Sequence, residues 1–295
     1  MEIITDNNRD RHIWSEPSAM LSEKDFQRLS ELIQSSSGIK MPNPKKIMLE
    51  ARLRKRLKAL GMKSFRAYCD YLFSPEGRKQ ELVPMIDVIT TNKTDFFREP
   101  RHFDYLTQTA VPELVRSDGA GIRRQLVVWS AGCSTGEEPY TIVMVLNELA
   151  KKQPAFHFMV LATDISTKVL DKAIRGVYGQ ERIEAVPGAL KKKYFMQSRD
   201  PKKHLVRVVP ELRAAVRFRR LNFMDGDFGM REPMDIIFCR NVIIYFDKPT
   251  QERLLNRLCK HLIPGGYIFM GHSETLSGLN VPLVSVGSMV YRKHL

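Results

Sequence analysis

The stretch from Leu126 to Tyr140, LVVWSAGCSTGEEPY, is the feature that most constrains how this chain can fold. It opens with four apolar residues, which is typical of a buried strand, and breaks at Gly132 into small residues. A helical pattern then begins near Glu137. The stretch therefore predicts a strand, a tight loop and a helix, and it places the N–H groups of the helix start above the carboxyl end of the strand.

The loop in this stretch differs from the common nucleotide-binding loops. The spacing G-x-G-x-x-G is absent from residues 132–136, and no Gly-Lys-Ser/Thr follows. Instead, Glu137 and Glu138 open the helix. Carboxylates there suit the helix dipole, so an ordinary βα turn is one interpretation. Because they would repel a pyrophosphate, a bound ligand would instead carry ammonium or hydroxyl groups.

Strands and helices alternate after this unit, which predicts an α/β domain. A strand at 158–162 ends in Asp164, an acidic residue placed either to bind ribose hydroxyls or to cap a helix beginning near Ser166. The alternation is interrupted at 176–215, which we interpret as an inserted subdomain. Further elements are predicted as strands at 205–209, 216–220, 234–239, 267–271 and 289–292, and as a helix at 249–262.

The chain before this domain predicts a polar tail, residues 1–20, and an all-helical domain, residues 21–90. Its helices are predicted from a capping pair, Ser22 and Asp25, from leucine spacing between 49 and 60, and from Ser64 as a cap. Pro84 either opens or kinks a fourth helix. Residues 91–100 are too polar for a strand and too aromatic for an idle linker, so they either pack between domains or contact a ligand.

The formal net charge is +14 and is unevenly distributed. Nine Lys and Arg residues lie between 41 and 66 against one acidic residue, and a second basic zone runs from 191 to 220. Such runs either form a solvated face or steer an acidic protein surface or nucleic acid into contact. The four cysteines lack C-x-x-C spacing, so neither a metal site nor a disulfide framework is expected. Without a long apolar run we expect a cytoplasmic protein with no membrane insertion.

Five stretches together resemble one family, the S-adenosylmethionine-dependent protein-glutamate methyltransferases of bacterial chemotaxis, the CheR family. The resemblance implies a helical N-terminal domain, a linker at 91–100, and a Rossmann-like methyltransferase domain at 101–295 with an antiparallel β-subdomain at 176–215. The matching stretches are TTNKTDFFRE at 90–99, WSAGCSTGEEPY at 129–140, ATD ending at Asp164, CRNVIIYF at 239–246 and GHSE at 271–274.

The resemblance implies methyl transfer from S-adenosylmethionine to glutamate side chains of chemotaxis receptors, giving glutamate methyl esters and S-adenosylhomocysteine. It places Arg98 and Tyr245 at the reacting centre. The cofactor-binding residues that it implies are Asn92, Thr94, Arg98, Gly132, Glu138, Asp164, Asn222, Phe223, Arg240 and Asn241. His272, Ser273 and Glu274 are adjacent in sequence and cannot form a nucleophilic triad, so we interpret them as loop hydrogen bonding.

The basic helix, residues 45–58, then has an expected partner in the acidic methylation helices of a receptor, and a monomer is expected. Some members of the family also bind a receptor's C-terminal peptide at the β-subdomain. The turn at 197–203 has no glycine here, whereas peptide-binding members are usually glycine-rich in that loop.

Two alternative functions stay open. The first is a nucleic-acid methyltransferase, which the net charge permits, although the sequence lacks the Asn/Asp-Pro-Pro-Tyr/Phe motif of the amino-methylating enzymes. The second is a nonenzymatic adaptor, which would need a degenerate site.

Overall fold

The computed structural model describes residues 20–294 and divides into two compact units, with the boundary between Thr90 and Thr91. The predicted polar tail lies outside the described residues except for Met20. The described part of the first unit is helical. Its α helices are α1 (Glu23–Ser37), α2 (Lys46–Ala59), α3 (Phe65–Leu72) and α4 (Pro75–Ile89).

The helix ends of the first unit follow local sequence signals. The Ser22 hydroxyl accepts from the Asp25 N–H at the start of α1, and Gly38 ends that helix at φ +74°. Ser64 accepts from the N–H of Ala67 in the same way at the start of α3. These side chains satisfy N–H groups that a helix start leaves unpaired, so the predicted caps are confirmed.

Pro84 lies inside α4, which excludes one of its two predicted roles, that of opening the helix. The helix begins nine residues earlier, at Pro75. Ser74 precedes it and accepts from the Gly77 N–H at 3.0 Å. A hydroxyl cap followed by a proline with preset φ is a stronger start signal than a lone proline.

One residue of the predicted basic helix faces the interior of the first unit. Arg56 donates from Nε and Nη2 to the two carboxylate oxygens of Glu81 at 2.7 and 2.6 Å. Glu81 is 2% exposed and also accepts from the Tyr68 hydroxyl. Arg56 is therefore a structural ion-pair residue, and assigning it to a solvent-facing basic stripe is wrong.

A seven-stranded sheet forms the centre of the second unit, in the order β6-β2-β1-β7-β8-β10-β9. Strands β6, β2, β1, β7 and β8 are parallel, and β10 pairs antiparallel with both β8 and β9. The chain leaves β1 towards β2 and later returns to its other side as β7. Ligands bind at the carboxyl ends of parallel strands where the order reverses in this way. The strands are β1 (Leu126–Ala131), β2 (Phe158–Asp164), β6 (Val216–Arg220), β7 (Met234–Cys239), β8 (Leu262–Met270), β9 (Leu283–Gly287) and β10 (Val290–Lys293).

Helices cover this sheet, and most lie where the sequence predicts them. The helical segment at 101–118 consists of α5, a π turn at Leu106–Ala110, and α6. The helix predicted to reach 262 ends at His261, and β8 begins at Leu262 rather than at Tyr267. The helices are α5 (Arg101–Tyr105), α6 (Val111–Asp118), α7 (Glu137–Lys152), α8 (Thr167–Arg175), α9 (Gly188–Tyr194), α10 (Pro210–Ala214) and α11 (Lys248–His261).

The predicted antiparallel subdomain is confirmed as a three-stranded sheet in the order β3-β5-β4. Its strands are β3 (Val177–Gly179), β4 (Phe195–Gln197) and β5 (Leu205–Val208). The sequence predicts only β5, because strands of three residues are too short to display a period of two. For the same segment of the chain, 20–294, no helix is both long and apolar enough to span a membrane.

Candidate functional site

The loop after β1 lies tightly against the ends of two neighbouring strands. Gly132 adopts φ +90°, and a Cβ added there would lie 2.5 Å from Cγ2 of Val242, which follows β7. The N–H groups of Gly132 and Cys133 both donate to the carbonyl of Thr163 in β2, at 2.8 and 2.9 Å. Both the left-handed backbone and the close approach require glycine here.

Asp164 connects this loop to the end of β2. Its Oδ2 accepts from the Ser134 N–H at 2.8 Å, and its Oδ1 accepts from the Ser166 N–H at 2.9 Å. The side chain is buried at the carboxyl end of β2. Ser166, not Asp164, occupies the N-cap position of α8, so the predicted N-cap role of Asp164 is wrong.

Glu138 lies in the first turn of α7 and faces a cation from its own chain. The Ser130 hydroxyl donates to Oε1 at 2.7 Å, and Nη1 of Arg240 lies 3.4 Å from Oε2. Burial raises the pKa of the Glu138 carboxyl, while Arg240 and the Ser130 bond favour its charged form. The charge argument from sequence placed an ammonium group of a bound ligand near this carboxylate, and the structure adds a cation of the chain itself, Arg240.

Arg240, directly after β7, links three parts of the second unit. Its side chain is 2% exposed and forms ion pairs with Glu138 and, at 3.2 Å, with Glu99. It also donates to the backbone carbonyl of Arg98, and its guanidinium lies 5.5 Å from the Phe103 ring centroid. Its Nε is buried and has no acceptor within residues 20–294. A buried donor without a partner is costly, so this nitrogen indicates a polar ligand.

Residues 91–100 lie over the loop that follows β1. The Ser134 hydroxyl donates to the Asn92 carbonyl at 2.9 Å, and the Phe97 N–H donates to the Thr141 hydroxyl at 3.2 Å. Phe97 and Glu99 adopt φ values of +53° and +57°, which non-glycine residues rarely do. The half-buried Arg98 donates from Nη1 to the Lys93 carbonyl at 3.2 Å.

Arg182, which sequence reasoning missed, anchors the same segment from the β-subdomain. It lies in a short turn, Gln180–Ile183, and pairs with Asp95 at 3.0 Å and with Glu137 at 2.7 Å. It also donates to the Thr94 carbonyl. Glu137 is 1% exposed. No motif could have singled out Arg182, because its partners are about 45 and 90 residues away in the chain.

Glu274 organises the segment after β7, and the predicted loop hydrogen bonding is confirmed. Its carboxylate accepts from the N–H groups of Gly271, Asn241 and Val242 at 2.7 Å and of Ile243 at 2.8 Å. Burial raises the pKa of Glu274, and the four backbone bonds favour its charged form. This arrangement supports the left-handed backbone of Asn241, at φ +58°.

The remaining predicted residues share the carboxyl edge of the sheet. Asn222 and Phe223 follow β6, where the Asn222 side chain accepts from the Met224 N–H and the Phe223 ring lies 6.4 Å from that of Trp129 in β1. Tyr245 is half-buried in the turn Ile243–Tyr245. Direct contacts therefore join Glu138, Arg240 and the segment 91–100, while Asn222, Phe223 and Tyr245 follow β6 and β7 at the same edge of the sheet.

Comparison with known proteins identifies similarity along both units. The sequence model described as "CheR methyltransferase, SAM binding domain" matches residues 92–291, and "CheR methyltransferase, all-alpha domain" matches residues 24–90. A "Chemotaxis protein methyltransferase 2" of Pseudomonas aeruginosa is 42% identical over 271 residues, covering 92% of this chain and 93% of the relative.

A "Chemotaxis protein methyltransferase" of Borreliella burgdorferi is 39% identical over 275 residues, covering 93% of this chain and 95% of the relative. Similarity to solved structures is weaker. The magnesium protoporphyrin IX methyltransferase of Synechocystis PCC 6803 with bound SAM aligns with a TM-score of 0.31 and 13% identity, over 76% of this chain and 91% of that one.

Proposed function

This chain belongs to the CheR methyltransferase family, and we propose that it methylates glutamate side chains of chemotaxis receptors at the carboxyl edge of its large sheet. Membership of the family confirms the predicted enzyme class, a methyltransferase, and its cofactor, S-adenosylmethionine. The observation that best supports the proposed site is the double ion pair of Arg240. It joins Glu138 at the start of α7 to Glu99 of the segment that carries Arg98.

The groups at this edge fit S-adenosylmethionine. The cofactor carries an ammonium and a carboxylate, which suit the Glu138 carboxylate and Nε of Arg240, a donor that has no acceptor in the described part of the chain. Its ribose hydroxyls suit the acceptor oxygens of Asp164. We propose that the cofactor-binding set is Asn92, Thr94, Arg98, Gly132, Glu138, Asp164, Asn222, Phe223, Arg240 and Asn241.

The chain's own task in the reaction is alignment. When bound, the cofactor supplies an electrophilic methyl group on a cationic sulfonium. The acceptor glutamate, with a pKa of about 4.3, is already ionised at neutral pH, so no general base has to remove a proton. We propose that Arg98 and Tyr245 hold the acceptor carboxylate in line with the methyl group. Such alignment can lower a barrier by on the order of 7–11 kcal/mol.

Replacing Arg98 by alanine is expected to reduce turnover by about 100-fold or more, because a misplaced acceptor carboxylate costs at least that much. Loss of the orienting role alone lowers turnover and leaves affinity for S-adenosylhomocysteine within about twofold, whereas a larger loss of affinity assigns the Arg98 side chain to the cofactor as well. Single-turnover rates and calorimetric titration with S-adenosylhomocysteine measure the two quantities. Arg101→Ala, at an exposed residue in α5, is the control. Unchanged turnover in Arg98→Ala would remove the orienting role.

The acceptor class is tested with methyl-labelled cofactor and either receptor cytoplasmic fragments or RNA. A glutamyl methyl ester releases its label as methanol in mild base, whereas a methylated nucleobase keeps it. We expect base-labile label on the receptor fragments alone. Label on RNA would favour the nucleic-acid alternative, and no label on either would favour the adaptor.

We propose that receptor recognition uses the exposed lysines of α2. Lys55 and Lys58 are exposed on this helix. Reversing both lysines to glutamate should raise the KM for receptor fragments several-fold and flatten its salt dependence, because acidic methylation helices would lose two attractive charges. Arg56 is unsuitable for this test, since its pairing with Glu81 is structural.

Lys24→Glu/Lys79→Glu is the matched control, because it makes the same charge change at exposed positions of α1 and α4. Equal effects of the two double variants on KM would show that α2 is an ordinary solvated face.

We propose a separate contact for a receptor's C-terminal peptide. The outer strands of the subdomain, β3 and β4, have edges that suit pairing with an extended chain.

A further inference from the structure

A cluster of three potential metal ligands lies beside the proposed cofactor site. Glu99 from the segment 91–100, His102 from α5 and His272 after β8 each place one ligand atom within 4.8 Å of the others. Across residues 20–294 no other group of three His, Cys, Asp or Glu side chains meets this spacing. The ligands are 173 residues apart at most along the chain, so no spacing motif marks them.

Two atoms of this cluster are buried without a hydrogen-bond partner among the described residues, Nδ1 of His102 and Oε2 of Glu99. The His102 side chain is 2% exposed and that of Glu99 10%. Nε2 of His102 lies 3.2 Å from the Ser288 carbonyl, which can only accept, so Nε2 carries the ring proton. The lone pair of Nδ1 therefore faces Oε2 of Glu99 at 3.4 Å. Two acceptors in this position repel each other, and although Arg240 lies 3.2 Å from Oε2, a cation bound to both acceptors would replace the repulsion with attraction.

The spacing of the His102 and Glu99 ligand atoms suits a tetrahedral zinc ion. Zinc binds histidine nitrogen and carboxylate oxygen at about 2.0–2.2 Å, which puts two ligand atoms of a tetrahedron roughly 3.3–3.6 Å apart. The Nδ1–Oε2 separation of 3.4 Å lies in that range. Histidine ligands in metal sites usually donate their other ring N–H to a carbonyl or carboxylate, as His102 does to Ser288.

The third ligand gives the site access to solvent. The His272 side chain is exposed, and its ring centroid lies 5.7 Å from that of His102. Its backbone N–H donates to Oε1 of Glu99 at 3.3 Å, which fixes the carboxylate between the two histidines. Arg240, 3.2 Å from Oε2, is an unfavourable neighbour for a cation, but its second partner, Glu138, can retain the guanidinium.

We propose that Glu99, His102 and His272 bind a zinc ion, with water in the fourth position. The methyl transfer described above does not require this ion, but the two sites share Glu99, whose Oε2 also pairs with Arg240.

Calorimetric titration of the full chain with zinc chloride, after removal of metals by a chelator, tests this proposal. We expect one saturable site of micromolar affinity and a higher melting temperature with zinc. His272→Ala should weaken binding by about 10–100-fold or more and remove the thermal shift, without impairing the fold, because His272 is exposed. His157→Ala, also at an exposed position, should leave the zinc affinity and the thermal shift unchanged.

Cobalt absorption provides a second readout, because a four-coordinate site with nitrogen and oxygen ligands gives ligand-field bands without a thiolate charge-transfer band. Thiolate bands would overturn the assignment, since they would place the ion at a cysteine. The proposal is equally overturned if no saturable binding occurs, or if His272→Ala binds zinc as tightly as the unaltered chain, which would leave only nonspecific surface binding.

Discussion

Replacing Glu274 by alanine is expected to lower the free energy of unfolding by about 4 kcal/mol or more and to abolish methyl transfer. The side chain is 2% exposed and accepts hydrogen bonds from four backbone N–H groups. Each buried donor left without an acceptor costs roughly 1–3 kcal/mol. A loss of about 4 kcal/mol is therefore the lower limit for the four N–H groups together. The donors at 241–243 lead directly to Tyr245, so the proposed reacting centre would lose its support together with the fold.

Denaturant unfolding and single-turnover methylation measure the two effects of this change. Glu232→Ala is a matched control at an exposed position. Its free energy of unfolding should stay within about 0.5 kcal/mol of that of the unaltered chain. Glu274→Gln should lie in between, because an amide keeps one acceptor oxygen but turns an NH₂ group towards backbone donors. A Glu274→Ala variant whose free energy of unfolding lies within about 1 kcal/mol of that of the unaltered chain would contradict this account of the loop.

Arg240→Met is expected to destabilise the second unit by about 3–5 kcal/mol, because it leaves the carboxylates of Glu99 and Glu138 buried without their cation. Methionine keeps much of the side-chain volume, so the effect reports charge more than packing. Affinity for S-adenosylhomocysteine should fall at least about tenfold, since the proposed site loses both the guanidinium and its hold on the segment 91–100. Unfolding and calorimetric titration measure these losses.

The pH dependence of the Arg240→Met variant separates charge from packing. Burial already raises the pKa of Glu138, and removing Arg240 raises it further. A carboxyl whose folded pKa lies above its unfolded pKa binds more protons in the folded state, so it destabilises the fold as pH rises through that interval. The deficit relative to the unaltered chain should therefore shrink as pH falls from 8 towards 5.

Adding Glu138→Gln to Arg240→Met should recover part of the stability, because the uncompensated charge is then gone. A deficit that is constant with pH and unaffected by Glu138→Gln would show that Arg240 acts through packing alone.

The segment 91–100 is held in place by contacts from several other parts of the second unit. Arg240 from the end of β7, Ser134 from the loop after β1 and Arg182 from the β-subdomain each contact this segment. Its own backbone takes rare conformations at Phe97 and Glu99. A strained segment held from several sides is typical of functional sites, where position matters more than local stability.

Local sequence signals determined the elements and most of their ends. The buried strands β1 and β7, the helix start at Glu137 and the caps at Ser22 and Ser64 depend on side chains within a few residues of each other, so periodicity and capping rules apply. Because motifs of the resembling family lie at the ends of those strands, the sequence also indicated which residues to consider for the cofactor.

Partners across the chain were decided only by the tertiary structure. The sequence places Arg56 on a basic face and Glu138 towards an ammonium group of a ligand, whereas folding pairs them with Glu81 and Arg240. Buried charges must find partners wherever packing brings them, and the partner's distance along the chain leaves no periodic signal. The partners of Glu274 at 241–243, the anchor at Arg182 and the cluster of Glu99, His102 and His272 therefore became visible only when segments far apart in sequence were brought together.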